Sequence, residues 1–218
     1  MCLASAVEFA FRSQLPVTCS AVPRKVPRHM SLSDTEYAIL RQTIAARGTA
    51  RMVLFPVALI AWATLALIVL TLAEAPVASL LPLAVLVAGF EAVHALHVGV
   101  ERVGRYLQVF YENSENGPRW ETIAMAVGPA LPGGGIDPLF TLVFASATFV
   151  NIIPALTVQP RPTVTELGVI GVLHMAAVIR IVRARGAAAR QRAVELESFR
   201  ALRAKIPAAK SHEPTPTL

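Results

Sequence analysis

Charged residues are scarce in this sequence, and that scarcity excludes most classes of soluble protein. Only 16% of the 218 residues are Asp, Glu, Lys or Arg, whereas 55% are hydrophobic and the mean hydropathy is +0.57. Such a composition is typical of proteins that place long apolar segments in a bilayer. The net charge of +6 would favour nucleic-acid binding in a soluble protein, but here we expect no nucleic-acid partner and a lipid bilayer instead.

Cysteine and the common catalytic patterns are also nearly absent. Cys2 and Cys19 both precede the apolar part of the chain, so neither a disulfide framework nor a CxxC redox motif can lie there. No HExxH, nucleophile elbow or catalytic triad pattern is present, and the sequence gives no positive indication of an enzyme. The first residues lack the basic and apolar regions of a cleaved signal peptide, and we expect the chain to start at either Met1 or Met30.

Four long apolar segments are what the sequence does contain. They cover residues 52–73, 76–101, 138–158 and 164–182, and the second continues as a helix to residue 112. Each is close to the roughly 20 residues that a helix needs to cross about 30 Å of hydrocarbon. The alternation of barrel strands is missing, and only a helix satisfies its own backbone in lipid. The sequence therefore predicts an all-α integral membrane protein with a four-helix transmembrane domain over residues 52–182.

The distribution of Lys and Arg predicts the orientation of these four helices. Residues 1–51 hold seven, the 101–137 connection holds three and the region from Arg180 onward holds nine, whereas the other side holds only Arg161. Because basic residues concentrate on the cytoplasmic side, both termini and the loop 113–137 are predicted to be cytoplasmic. Seventeen arginines against three lysines suit a GC-rich genome. We expect a multi-pass protein of a bacterial inner (plasma) membrane.

Helices are also predicted outside the four spans, on the cytoplasmic side. The N-terminal segment 1–51 contains a short helix at about 34–47, which either lies at the headgroups or continues directly into the first span. The loop 113–137 contains a short helix at the membrane surface. Residues 183–218 are predicted to form a basic amphipathic helix followed by a disordered tail from residue 210. This helix either lies on the inner leaflet or pairs with a partner helix. Its contact residues are Arg183, Arg185, Arg190, Arg192, Phe199, Arg200 and Arg203.

One polar stripe runs down the second helix and is the most unusual feature of the sequence. At about 100° per residue, Glu91, His94, His97 and Glu101 share one face. Counting from the span limits places Glu91 near the bilayer midplane, where a carboxyl must be protonated, paired or facing a wet cavity. From Glu101 to Glu112 the stripe is predicted to be a solvated helix face, with Glu101 and Arg105 as an i, i+4 pair.

The fourth span carries His174 at the same predicted depth as Glu91, so we expect these two residues to contact each other. Asn151, near the outer end of the third span, is predicted to join helices by hydrogen bonding, and Pro154 to kink that end. We expect five polar side chains to support the same cluster. They are Asn151, Glu101, Thr64, Ser146 and Thr148.

Three functions remain open for the cluster of Glu91, His94, His97 and His174. It is a proton or ion pathway in an oligomeric or multi-subunit membrane protein, because histidine titrates near neutral pH. Alternatively it is a polar lock that fixes helix packing in a structural subunit. A third interpretation is a haem or metal site on the three histidines, with Glu91-x-x-His94 as half of a di-iron pattern. No second ExxH is present, and the sequence requires no cofactor.

Overall fold

The described residues of this computed structural model are 32–112, 119–127, 137–159 and 161–206. Within these ranges the chain is helical apart from short connections. The α-helices are α1 (Leu32–Leu72), α2 (Leu80–Phe110), α3 (Trp120–Val127), α4 (Asp137–Val150), α5 (Ile153–Thr157) and α6 (Val164–Lys205). A 3-10 helix, Pro76–Ser79, precedes α2.

The chain divides into two compact units, Met1–Thr35 and Glu36–Leu218. Only the first residues of α1 are described in the first unit, and the contacts that form the core and the polar clusters belong to the second. The predicted start at Met1 or Met30, the two cysteines and the predicted disordered tail lie outside the described residues.

The predicted all-α class with four long apolar helices is confirmed. Four described segments are long and apolar enough to cross a membrane: Asp34–Leu72, Pro76–Phe110, Phe140–Thr157 and Val164–Lys205. The predicted short helix in the loop 113–137 is present as α3.

The first and last long helices run further than predicted, because the flanking helices are continuous with the spans. α1 has 41 residues and includes the helix predicted at 34–47, whereas α6 has 42 residues and includes the predicted basic helix. Gly48 and Gly186 lie inside these helices, and a single glycine costs only about 1 kcal/mol there, too little to end a helix. Each helix is about 60 Å long, roughly twice the hydrocarbon thickness.

Prolines interrupt the helices near Pro82, at the start of α2, and near Pro154, at the end of the third apolar segment. The third apolar segment is interrupted at residues 151 and 152, immediately before Pro154, so α4 and α5 are separate helices. The kink predicted at Pro154 is therefore present as a break. α2 begins at Leu80, two residues before Pro82, which is tolerated because the first turn of a helix has no partner for its N–H groups.

An apolar core joins four helices. Its buried residues are Ala58 of α1, Leu86, Phe90 and Val93 of α2, Phe144 and Ala147 of α4, and Ile181 and Ala184 of α6. Gly89 allows α1 and α2 to approach closely, because a Cβ at this position would lie 2.6 Å from the Cβ of Ala58. α2 and α6 run in the same direction, with contacts that progress from Glu91–Arg180 to Val109–Arg203.

Candidate functional site

Two polar clusters lie on either side of the apolar core. The first, which we call the asparagine cluster, comprises Trp62, Ser79, Asn151 and His174. The second, the arginine cluster, lies toward the start of α1 and the end of α6. It comprises Arg51, Glu91, His97, Glu101, Arg105, Arg180, Arg192 and Glu195.

Asn151 is the centre of the asparagine cluster and is only 1% exposed. Its side-chain Nδ2 donates to the carbonyl oxygen of Ser79 at 2.9 Å and lies 3.0 Å from Nε2 of His174. Its Oδ1 accepts a hydrogen bond from the indole Nε1 of Trp62 at 3.0 Å. One amide thus joins α1, the 3-10 helix and α6 at the break between α4 and α5.

The hydrogen bonds of His174 define its tautomer. Nδ1 lies 2.8 Å from the carbonyl oxygen of Ile170, which can only accept, so Nδ1 carries the proton. Nε2 is then an acceptor for Asn151 Nδ2, whose second hydrogen goes to Ser79. Both ring nitrogens therefore have neutral hydrogen-bond partners.

The other supporting residues predicted for the third and first spans lie apart from this cluster. Thr148 is buried, and its hydroxyl donates to the carbonyl oxygen of Phe144 in its own helix at 2.8 Å. Ser146 and Thr64 are exposed on α4 and α1. Of the supporting residues predicted in these two spans, Asn151 is the one that hydrogen-bonds to a predicted site histidine, His174.

Glu91 contacts Arg180 rather than His174. Oε2 of Glu91 accepts a hydrogen bond from Nη2 of Arg180 at 2.7 Å, and the guanidinium lies 6.0 Å from the centre of the Phe90 ring. His174 precedes Arg180 by six residues, or about 9 Å along α6. The predicted contact between Glu91 and His174 is wrong, because it rests on equal depth counted from span limits and the helices pack in a different register.

His94 and His97 have different surroundings although they share one face of α2. The His94 ring stacks on the Phe90 ring, with centroids 5.7 Å apart and an interplanar angle of 4°. Nδ1 of His97 lies 2.6 Å from Nη1 of Arg51, and its Nε2 lies 3.4 Å from Oε1 of Glu101. Because arginine can only donate, Nδ1 accepts and the proton of a neutral His97 points toward Glu101.

Glu101 and Arg105 tie α2 to α6. Glu101 accepts a hydrogen bond from Nε of Arg192 at 2.9 Å, whereas Arg105 donates to Oε2 of Glu195 through Nε at 3.2 Å and Nη2 at 2.5 Å. The predicted pair of Glu101 and Arg105 is present at 3.6 Å. The predicted solvated face is wrong, because Arg105 is 2% exposed and Glu112 is 5% exposed against the neighbouring helices.

The C-terminal half of α6 packs on α2 of the same chain. The Phe199 ring contacts the rings of Tyr106 and Phe110, at 5.9 and 6.4 Å between centroids, and Arg203 donates to the carbonyl oxygen of Val109. Arg192, Phe199 and Arg203, which the sequence predicts at a membrane surface or a partner, contact α2. Arg183, Arg190 and Arg200 are exposed, and the side chain of Arg185 lies outside the described part of the chain.

Glu112 and Glu121 attach α3 to the bundle. The carboxylate of Glu112 accepts hydrogen bonds from the backbone N–H groups of Glu121 at 2.8 Å and Thr122 at 2.7 Å, and so caps the helix N-terminus. Glu121 accepts a hydrogen bond from Arg41 of α1. Burial raises the pKa of Glu121, the nearby Glu112 carboxylate raises it further, and Arg41 opposes both.

The residues present do not fit the predicted haem or metal site. Within the described ranges, no three His, Cys, Asp or Glu side chains come close enough to hold a metal ion. His174 is occupied by Asn151 and Ile170, and His97 by Arg51, so ligation would first require these contacts to break. We therefore assign no chemistry to such a group.

Comparison with known proteins gives no relative for this arrangement. The chain matches no protein-family model, no curated protein and no solved structure. The function must therefore be argued from the geometry of the two clusters.

Proposed function

We propose that this protein is a structural subunit of an oligomer or complex in a bacterial inner membrane. Four helices cross the bilayer and anchor a helical extension, formed by α1, α2 and α6, on the cytoplasmic side. In this proposal the two polar clusters are locks that fix how the helices pack. The observation that carries it is the neutralisation of α2 acids by arginines of α6.

The exposed surface of α1 supports membrane insertion. A water-soluble protein exposes single large hydrophobic residues but rarely a continuous row of them. The exposed large hydrophobic residues in the apolar part of α1 are Met52, Val53, Val57, Ile60, Leu67, Ile68, Leu70 and Leu72. A bilayer would cover this row.

The arrangement of charge supports the proposed orientation. Arg41, Arg47 and Arg51 lie in the first half of α1, and Arg192 and Arg203 lie in the last half of α6. Contacts with α2 bring both groups to the same end of the molecule, because Arg51 contacts His97 and Arg192 contacts Glu101. By the positive-inside rule this end is cytoplasmic.

The ion pairs between α2 and α6 support the lock. Glu91 pairs with Arg180, Glu101 with Arg192 and Arg105 with Glu195, at separations of 89, 91 and 90 residues along the chain. The near-constant separation means that one register satisfies all three pairs. Of the three, the Arg105–Glu195 pair is the buried one, and removing one partner of a buried pair costs about 3–5 kcal/mol because the other charge is left without compensation.

The apolar core separates the arginine cluster from the asparagine cluster. Leu86 and Phe144 are fully buried, Leu86 five residues before Glu91 on α2 and Phe144 seven residues before Asn151 on α4. A proton relay needs continuous hydrogen bonds or water, which such a layer does not supply. Proton or ion handling is the second proposal, and it is favoured by the approach of His97 to within 3.4 Å of Glu101 on the cytoplasmic side.

Insertion and orientation are tested first. Carbonate extraction should leave the protein in the membrane fraction. In a cysteine-free C2S/C19S background, Ala204→Cys should react with an impermeant maleimide only in inside-out vesicles, and Arg161→Cys only in right-side-out vesicles. Carbonate release of the protein, or the reverse labelling pattern, would contradict the proposal.

The lock is tested by comparing two carboxylates. Glu101→Gln should lower the unfolding temperature in lipid nanodiscs, whereas Glu197→Gln, on the exposed face of α6, should leave it unchanged. Liposomes containing the wild-type protein should pass no more protons than protein-free liposomes. Proton flux that Glu91→Gln abolishes at unchanged stability would replace the lock with the proton-handling proposal.

The same nanodisc preparation addresses assembly. The sequence predicts either a homo-oligomer or a complex with other membrane subunits, and a structural subunit requires one of the two. Mass photometry of material extracted with native lipid should give a particle larger than one chain. A monomer at membrane concentrations would argue against the structural proposal.

A further inference from the structure

The short helix α3 carries its apolar side outward. At about 100° per residue, Trp120, Ile123 and Ala124 fall within an arc of roughly 100°. Trp120 is 63% exposed and Ile123 is 56% exposed, and Ala124 is exposed beside them. Among the described side chains of α3, the polar Glu121 and Thr122 bond to the bundle, so the polarity of this helix is opposite to that of a helix packed on a soluble protein.

Three contacts prevent α3 from turning this side inward. Glu112 holds its first N–H groups, and Arg41 holds the carboxylate of Glu121. The same carboxylate lies against Gly104, where a Cβ would be 2.9 Å from Oε2 of Glu121. The exposed apolar side is thus a consequence of how the helix is attached.

The position of α3 along α2 places it beside the proposed bilayer. Gly104 follows Glu101, the last residue of the second predicted span, by three residues, or about 4.5 Å along α2. Phe140, in the first turn of α4, packs on Phe55 at 4.5 Å, so the third apolar segment starts near this level too. The headgroup layer on each side of a bilayer is about 5–8 Å thick.

We infer that α3 is an interfacial helix, and that Trp120 and Ile123 insert into the cytoplasmic headgroup layer. The occupant of this surface is phospholipid. Tryptophan prefers this layer because one edge of its ring is apolar and its N–H can bond to water or lipid. The Glu112 cap and the Arg41–Glu121 pair hold α3 parallel to a surface that its apolar side can enter. This inference rests on the proposed insertion of the four apolar helices.

The two tryptophans of the chain make the inference testable by fluorescence. Trp62→Phe leaves Trp120 as the single reporter, and Trp120→Phe leaves Trp62. Each variant is reconstituted into phosphatidylcholine–phosphatidylglycerol vesicles that carry bromine near the headgroup or near the chain end. Trp120 should be quenched several-fold more by shallow than by deep bromine, and aqueous iodide should quench it weakly.

A second variant tests whether the Glu112 cap holds α3 at the membrane surface. Glu112→Ala removes the carboxylate that caps α3, so it should reduce the quenching of Trp120 by shallow bromine and increase its quenching by iodide. If Trp62→Phe fails to fold, the Trp120 signal is obtained as the difference between wild type and Trp120→Phe.

The outcomes distinguish this inference from the proposed insertion. Quenching of Trp62 by membrane bromine together with full iodide access to Trp120 would retain insertion and overturn the interfacial helix. A blue-shifted Trp120 that neither bromine nor iodide quenches would also overturn it, because a protein partner would then cover α3. Loss of membrane quenching at both tryptophans would overturn both proposals.

Discussion

Arg180 of α6 donates a hydrogen bond of 2.7 Å to Glu91 of α2, and both side chains are partly exposed, at 47% and 40%. In water such a pair contributes at most about 1 kcal/mol. Within the proposed membrane segment its importance is greater, because neither charge has water to replace its partner. The pair joins Glu91, the first residue of the polar stripe of α2, to Arg180, the first arginine of α6.

A double-mutant cycle measures this contact. Glu91→Gln alone leaves the Arg180 guanidinium without its carboxylate, so it should destabilise the protein more than the double variant Glu91→Gln/Arg180→Gln does. The unfolding temperature in nanodiscs, followed by circular dichroism, gives the four values. Strictly additive effects would mean that the two side chains do not interact.

Asn151→Ala tests the asparagine cluster. The substitution removes the acceptor of the Trp62 N–H and the donor to Ser79 and His174, and three hydrogen bonds at roughly 0.6–1 kcal/mol each give a loss of about 2 kcal/mol. Ser146→Ala is the matched control on the exposed side of α4 and should change stability by less than about 0.5 kcal/mol. Equal effects of the two variants would contradict the assigned network.

Gly89→Ala tests the close approach of α1 and α2. The new Cβ would lie 2.6 Å from the Cβ of Ala58, so the helices must separate, and we expect a loss of about 1–3 kcal/mol. Gly168→Ala is the control, because a Cβ at this position would meet no atom within 4 Å and alanine is the better helix former by about 1 kcal/mol. Opposite signs for the two variants are the expected result in chemical denaturation.

The raised pKa of Glu121 predicts a pH dependence. A carboxyl whose pKa is higher in the folded state binds its proton more tightly when folded, so its contribution to stability is present below its ordinary value of 4.5 and is lost as the pH rises through the raised pKa. The stability of the wild type relative to Glu121→Gln should therefore decrease as the pH rises above 4.5. Unfolding temperatures of both proteins across this range provide the measurement, and a difference that increases with pH would contradict the assignment.

The apolar helices of this fold are predictable from the sequence because each depends on local composition. The same is true of the break before Pro154, since proline removes a backbone donor wherever it stands. The continuity of α1 through Gly48 is not predictable in this way. Whether a helix ends at a weak position depends on contacts such as that between Tyr37 and Tyr111, whose rings lie 5.6 Å apart.

Contacts between helices are harder to predict than the helices themselves. The sequence correctly indicates that Glu91 and His174 need partners, but depth counted from span limits assigns the wrong partner to each. Their actual partners, Arg180 and Asn151, depend on a register set by all the contacts along α2 and α6 together. An error of six residues on α6 displaces a side chain by about 9 Å, which exceeds the reach of any hydrogen bond.

The parallel course of α2 and α6 has a mechanical consequence. Because three ion pairs share one register, a displacement of one helix along the other by a single turn, about 5.4 Å, would break all of them at once. We therefore expect α2 and α6 to move together as one rigid unit. A force applied at the end near Asn151 would reach Arg203, near the other end of the two helices, without being absorbed by sliding between them.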